Sequence, residues 1–266
     1  MTGRLDGRSA LVTGAGSPTG IGFATARILA REGARIAIGS TTDRIHERAS
    51  ELRDDGYDVA GFAADLTDPA QARATADAVV ERFGRIDALV NNAGMVQSGT
   101  DYEEVDRITF LDVDEATWRR DLALNLDTAF HMSQAVLPHM LERGYGRIVM
   151  VSSVTGPFVT NPGDTGYGVA KSGMDGLMRS IAIETARRGI TVNSVAPGWI
   201  TTGSQTEDER VAGEHTPIGR SGRPEEIGEV IAFLCSEGSS YLTGQSIPVD
   251  GGNILQEYKG PPDEYY

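Results

Sequence analysis

A single cysteine, Cys235, in a chain of 266 residues excludes an internal disulfide and any metal site built on cysteine thiolates. It ends the apolar run that begins at Ile227, where a small core side chain is expected rather than a reactive thiol. The four histidines, His46, His131, His139 and His215, show no ligand spacing, so no transition metal is expected. Nowhere do eighteen apolar residues run together and no signal-peptide pattern opens the chain, which points to a soluble, cytoplasmic protein. Basic residues are the scarce charge, 24 against 38 acidic. A net charge of −14 repels phosphate backbones and anionic membranes, so nucleic acid and membrane are not expected partners. An anionic ligand would have to bind through local backbone dipoles and a few cations. With 39% hydrophobic residues and no shift of composition marking a linker, residues 1–266 read as one domain, its core about 7–252 and a tail at 253–266.

What is present is alternation. Ser9 to Thr13 is a short apolar strand, a glycine-rich turn runs from Gly14 to Gly22, and helical spacing starts at Ile21, Ala24 and Ile28. Strand, glycine turn and helix N-terminus together make an anion site, because bare N–H groups meet the helix dipole there, and pyrophosphate fits it. The spacing departs from the G-x-G-x-x-G fingerprint, since position 19 is Thr. Strands follow at 35–38, 58–64 and 87–90, separated by helices near 43–55 and 69–83. The pattern predicts an α/β domain, a doubly wound parallel sheet with helices on both faces, whose ligands sit beyond the carboxyl ends of the strands. The loops carrying Gly14, Ser40, Asp65, Asn91 and Ser153 should gather there.

The end of the second strand bears on the choice of nicotinamide cofactor. An acidic residue there grips the free ribose hydroxyl of NAD, whereas Ser40, Thr41, Thr42 and Arg44 suit a 2′-phosphate. NADP(H) is therefore expected over NAD(H), with Asp43 keeping the alternative open. Residues 95–116 read as a long loop and a candidate pocket wall. Trp118 to Leu137 reads as one long helix with Asn125 inside it, 203–221 as a mobile lid, and the tail as frayed or docked on a neighbouring subunit.

The richest stretch runs from Ser153 to Lys171. Ser153 follows a buried strand, 147–151, and Tyr167 and Lys171 share one face of the next helix, one turn apart. A cation close to a phenol favours its ionised form, so Tyr167 is expected to exchange a proton near neutral pH. Alone, the pair is as well read as a packed tyrosine beside a solvated lysine.

Taken together, Thr13-Gly14 with Gly20 and Gly22, Asn91-Asn-Ala-Gly94, Asn125, Ser153, Tyr167-x-x-x-Lys171, Pro197-Gly198 and Asp250-Gly-Gly resemble the short-chain dehydrogenase/reductase family, nearest its 3-oxoacyl thioester reductase branch. The resemblance implies a Rossmann-type domain in which Tyr167 is the general acid/base, Ser153 bonds the same substrate oxygen, Lys171 holds the nicotinamide ribose and lowers the Tyr167 pKa, and Asn125 anchors a water on the way to Lys171. It further implies a cofactor held by Gly14, Gly16, Ser17, Gly20, Ile21 and Gly22 at the pyrophosphate, Ser40, Thr41 and Arg44 at the 2′ position, and Asp65 with Leu66 at adenine. Asn91, Ala93 and Gly94 would flank the ribose; Pro197, Gly198, Ile200 and Thr202, with Tyr167 and Lys171, would border the nicotinamide. A homotetramer or homodimer is implied too. Two departures stand out. Five residues, Ala15 to Thr19, separate the first glycine from the second, a spacing reminiscent of enoyl reductases, yet those space Tyr and Lys by six residues and three stand here. Ser153 also lies one residue farther from Tyr167 than is common, leaving Ser152 as a weaker candidate. The expected function is reduction of a 3-oxo compound, free or thioester-linked. Its alternatives are NAD-dependent oxidation of a secondary alcohol and a nucleotide-sensing protein without turnover. A carrier-borne substrate would need a basic patch at Arg143, Arg147, Arg187 and Arg188 to offset the acidic surface.

Overall fold

The computed structural model describes residues 3–94, 109–257 and 259–260. Seven strands form one all-parallel sheet: β1 (Ser9–Val12), β2 (Arg35–Ser40), β3 (Val59–Ala63), β4 (Ala88–Asn91), β5 (Gly146–Val151), β6 (Ile190–Pro197) and β7 (Ser246–Val249), in the order 3-2-1-4-5-6-7. Side chains on successive strand residues point to opposite faces, so each strand feeds two cores. Val12, Ile36, Ile38, Val149 and Val195 pack against α1 (Ile21–Arg31), α2 (Arg44–Asp54) and α8 (Pro224–Leu234). Leu11, Leu89, Ile148, Met150 and Val192 pack against α3 (Pro69–Phe83), α5 (Thr128–Arg143) and α6 (Thr165–Thr185). Burial on both faces explains why the strands read as continuous apolar runs.

Chain order reverses between β1 and β4, which are hydrogen-bonded neighbours. The crevice opens there, at the carboxyl ends of the two strands, and the predicted doubly wound arrangement follows.

Three elements differ from expectation. The long helix through Asn125 is two helices, α4 (Glu115–Leu122) and α5, joined by one wide π turn, Ala123–Asp127. Thr128 Oγ1 bonds the Leu124 carbonyl at 3.0 Å and Asn125 Nδ2 that of Asp121 at 3.2 Å, so side chains take up carbonyls within and beside the irregular turn. The lid carries a helix, α7 (Glu207–Glu214), opened by a reciprocal capping box between Thr206 and Glu209. Of the loop expected at 95–116, residues 95–108 lie outside the described ones, Phe110–Asp112 makes a short 3-10 turn and α4 begins at Glu115.

Candidate active site

The glycine turn is braced from beneath. Thr13 Oγ1, 1% exposed, accepts from the N–H groups of Asn92 at 3.0 Å and Ala93 at 2.9 Å, while Asn92 Nδ2 donates to the Thr13 and Gly14 carbonyls, both at 3.0 Å. These bonds lock the loops after β1 and β4 together at the crevice. Gly14 has φ +68 and any side chain there would strike the Ala93 backbone; at Gly22 it would strike Asn92 and the Gly14 carbonyl. At Gly20, which opens α1, no side chain caps the helix, and its first turn holds no acid. The donors and dipole of α1 are thus left for an anion. Gly16 lies 3.0 Å, measured from an ideal Cβ, from the Ser40 side chain, so the turn reaches the end of β2. There Ser40 Oγ donates to the Thr42 carbonyl at 3.0 Å and Arg44 Nε to Thr42 Oγ1 at 3.3 Å, with Thr41 exposed beside them.

Farther along the crevice, Asp65 Oδ1 accepts from the Thr67 N–H and hydroxyl, and Leu66 is buried with its carbonyl on His131. Asn91, expected to flank the ribose, ends β4 with its side chain turned away from the crevice. It is 1% exposed and its Nδ2 turns inward, to Ser133 Oγ at 3.0 Å and Met150 Sδ at 3.2 Å. Gly94, at φ +129, abuts Asn125 Oδ1 and the Leu124 carbonyl.

Beyond β5, Ser152 and Ser153 part company. Ser152 Oγ donates to the Lys171 carbonyl at 3.2 Å, tying strand to helix. Ser153 accepts from the Thr155 N–H at 3.1 Å, and its hydroxyl rather than that of Ser152 is the one that acts on the Tyr167 phenol. The approach depends on Gly156, where φ is +106 and a Cβ would sit 2.2 Å from the Gly168 carbonyl. Only a bare glycine lets this loop lie on the first turns of α6. Lys171, 3% exposed, donates from Nζ to the Val151 carbonyl at 3.0 Å, and that nitrogen lies 5.5 Å from the centre of the Tyr167 ring.

The electrostatics correct one expectation. Tyr167 is raised above the ordinary tyrosine value, first by burial, with the Ser153 hydroxyl lowering it and Asp164 and Glu209 raising it further. Lys171 does not pull it down, because burial has brought the ammonium itself to about 8. The protein alone thus favours a neutral, proton-bearing Tyr167.

At the end of β6, Gly198 N donates to the Val249 carbonyl at 3.1 Å and leaves no room for a side chain beside Asp250, while Val154 N reaches the Pro197 carbonyl at 3.0 Å. Ile200 pairs with Gly222, and Thr202 Oγ1 bonds Ser204 Oγ at 3.0 Å. Gly203 N donates to Thr19 Oγ1 at 3.0 Å, so the lengthened glycine turn touches the base of the lid.

Thr13, Asn92, Gly156 and Thr19 escaped the list of site residues drawn from sequence. The first two stand within the quoted motifs but act by bonds between distant loops, and Gly156 and Thr19 carry no local signal of their partners. Among the described residues no group of His, Cys, Asp or Glu could hold a metal ion.

The family model described as enoyl-(acyl carrier protein) reductase matches residues 14–253. Oxidoreductase UcpA of Salmonella typhimurium is 39% identical over 267 residues, spanning 96% of this chain and 97% of that protein. The 3-oxoacyl-[acyl-carrier-protein] reductase FabG of Thermotoga maritima is 38% identical over 257 residues, 95% of this chain and 100% of that protein. The crystal structure of gox2181 superposes with a TM-score of 0.86 at 32% identity, covering 95% of this chain and 98% of that one.

Proposed function

The chain belongs to the short-chain dehydrogenase/reductase family and is an NAD(P)-dependent oxidoreductase working between alcohol and carbonyl, and on that premise we propose that it reduces a ketone, a 3-oxo compound, with NADPH. The observation that carries this reading is the Ser153–Tyr167 hydroxyl pair above Lys171, at the carboxyl end of β5. Two hydroxyls on one point suit a carbonyl oxygen that becomes an alkoxide.

The crevice fits a dinucleotide: the cradle at Gly14 and Gly22 admits no side chain, and the bare α1 N-terminus faces it. Gly16, Ser17, Gly20 and Ile21 would hold pyrophosphate, Ser40, Thr41 and Arg44 a 2′-phosphate, and Ile200 with Thr202 the carboxamide. When bound, the nicotinamide supplies the hydride. Ser153 orients the substrate oxygen by donating to it, and Tyr167 transfers its proton there as negative charge builds. Burial keeps Tyr167 protonated until that moment, which suits a general acid in reduction. Lys171, held by the Val151 carbonyl, would offer its remaining N–H groups to the ribose.

Carbonyl rather than enoyl chemistry is supported by the three residues between Tyr167 and Lys171. A small free ketone is favoured over a carrier-borne or CoA-borne one. The expected carrier patch loses Arg147, which is 3% exposed and bonded to Glu237 at 3.2 Å and the Gly146 carbonyl at 2.9 Å. Arg143 and Arg188 lie at the amino ends of β5 and β6, roughly 20 Å of strand from Ser153. On the lid, Arg210 is committed to Glu207 and Glu214, and Arg220 to Glu226. We read the enzyme as a cytoplasmic homotetramer, with Phe130, Val169 and Ile183 on the exposed flanks of α5 and α6 available to neighbouring copies.

The test is nicotinamide absorbance with NADPH and NADH against a panel of ketones and secondary alcohols. Faster turnover of 3-oxo compounds with NADPH is expected. Preference for NADH and an alcohol would replace this reading by the oxidative one.

A further inference from the structure

Among the described residues, three side-chain oxygens buried around the catalytic helix find no hydrogen-bond partner: Asp121 Oδ1, Asn125 Oδ1 and Asp175 Oδ1. Asp175 is the one the reaction leaves unexplained. It follows Lys171 by one turn of α6, and both side chains are 3% exposed. A carboxylate out of water with an open oxygen is costly unless a cation balances it. Lys171 has the converse problem. Its Nζ carries three donors and a full charge, yet the acceptor it has found among the described residues is one neutral carbonyl, that of Val151. We propose that Asp175 is the counter-ion of Lys171, a positioning residue that keeps the buried amine in its ammonium form.

The surroundings support the pairing. On α6 the ionisable neighbours of Lys171 are Tyr167, which bears its proton, and Asp175. From β5 and its loop come the uncharged Ser152 and Ser153. β6 contributes Ser194, which alternates with Ile190 and Val192 and so faces the α6 side of the sheet; its Oγ is buried and has no partner among the described residues. From α4 and the wide turn come Asp121 and Asn125. The Asp121 carboxylate lies against Gly166, about 140° around the helix from Lys171, whereas Asp175 is about 40° away. Glu209 of α7 and Asp164 act on Tyr167. Asp175 is also the charge that opposes the burial pulling Lys171 down to about 8.

This inference rests on Lys171 serving the reaction, and the experiment keeps the two apart. The chain has two lysines, Lys171 and the exposed Lys259. Lysine-labelled protein therefore gives two side-chain NMR signals, and the buried one can be titrated in cofactor-free protein without reference to turnover. The wild-type midpoint is expected near 8. In Asp175→Asn it should fall by about one pH unit, the scale of losing a nearby counter-charge, while Asp175→Glu should restore it. In the Asn variant kcat/KM for the cofactor should drop about fivefold at pH 8, approach about tenfold above pH 9 and recover by pH 6, as a one-unit shift requires. An unchanged midpoint in Asp175→Asn overturns the proposal whatever the activity. If that variant does not fold, Asp175→Ser is read by the same titration and decides. Full activity in Tyr167→Phe would instead sink the catalytic reading and leave the lysine titration standing.

Discussion

Replacing Thr13 by valine keeps the shape of the side chain and deletes one hydroxyl. That oxygen accepts from two backbone donors, Asn92 N at 3.0 Å and Ala93 N at 2.9 Å, and donates more weakly to the Val90 carbonyl at 3.3 Å. The carbonyl is not orphaned, because Thr13 N also bonds it at 3.0 Å. The Asn92 N–H also keeps that carbonyl, at 3.1 Å, but the Ala93 N–H loses its acceptor, and the valine methyl now blocks water from it. An unsatisfied buried donor costs about 1–3 kcal/mol, and since Ala93 is half-buried the lower part of that range applies, giving about 1–2 kcal/mol. Against a total stability of about 5–15 kcal/mol this is a measurable loss. Urea unfolding at fixed protein concentration should show a lower midpoint with an unchanged slope, and Thr13→Ser should recover most of it. Cofactor affinity should fall in parallel, because Ala93 is the backbone on which Gly14 rests. A valine variant within about 0.5 kcal/mol of wild type, the scatter of neutral surface changes, would refute the view that this hydroxyl clamps the crevice.

Tyr167→Phe should lose at least about a thousandfold in kcat and Ser153→Ala about a hundredfold, on the scale of losing acid/base and oxyanion groups; Ser152→Ala should change kcat less than about threefold, since its hydroxyl is spent on the Lys171 carbonyl. Equal losses from the two serines in steady-state assays would erase the distinction. Arg44→Ala should raise KM for NADPH about tenfold and leave that for NADH alone, the loss of one charge-assisted contact; equal effects on both would remove Arg44 from the 2′-phosphate. Arg147→Met should cost about 1–2 kcal/mol in denaturation by removing hydrogen bonds from the Gly146 and Gly189 carbonyls, since Glu237 is exposed and keeps Arg8, with kcat for free and thioester ketones unchanged. The pH profile of kcat/KM for the cofactor, which reports the free enzyme, should fall as pH rises through about 8, where Lys171 loses its proton; a flat profile to pH 9.5 would contradict a lowered Lys171.

Much of this was legible in the chain. The strands are buried on both faces, so their apolar runs announced a parallel sheet, and Asp68 followed by Pro69 marked the start of α3. Motif residues read as neighbours, Ser153, Tyr167 and Lys171, did come together. What the sequence concealed was direction. Asn91 and Asn92 are adjacent and identical, yet one turns into the core and the other braces Gly14, a choice made by strand alternation meeting the first loop residue. The capping box at Thr206 and Glu209 was readable and was hidden by the glycines and arginines around it. The reversed effect on Tyr167 was beyond reach, because proximity of Lys171 is local while its desolvation is set by β5 and β6.

The wide turn at Ala123–Asp127 works as an angular offset. Each helical residue advances the side chains by about 100°, so one surplus residue rotates everything beyond it relative to an unbroken helix. Asn125 meets Gly94 and α5 meets the sheet at once only because the two halves are out of phase. Removing a single residue from this stretch would bring them into phase, swing either the amide or the core-facing stripe of α5 aside, and cost the protein its site or its packing. Anyone grafting this segment between related chains should move the five residues as a block.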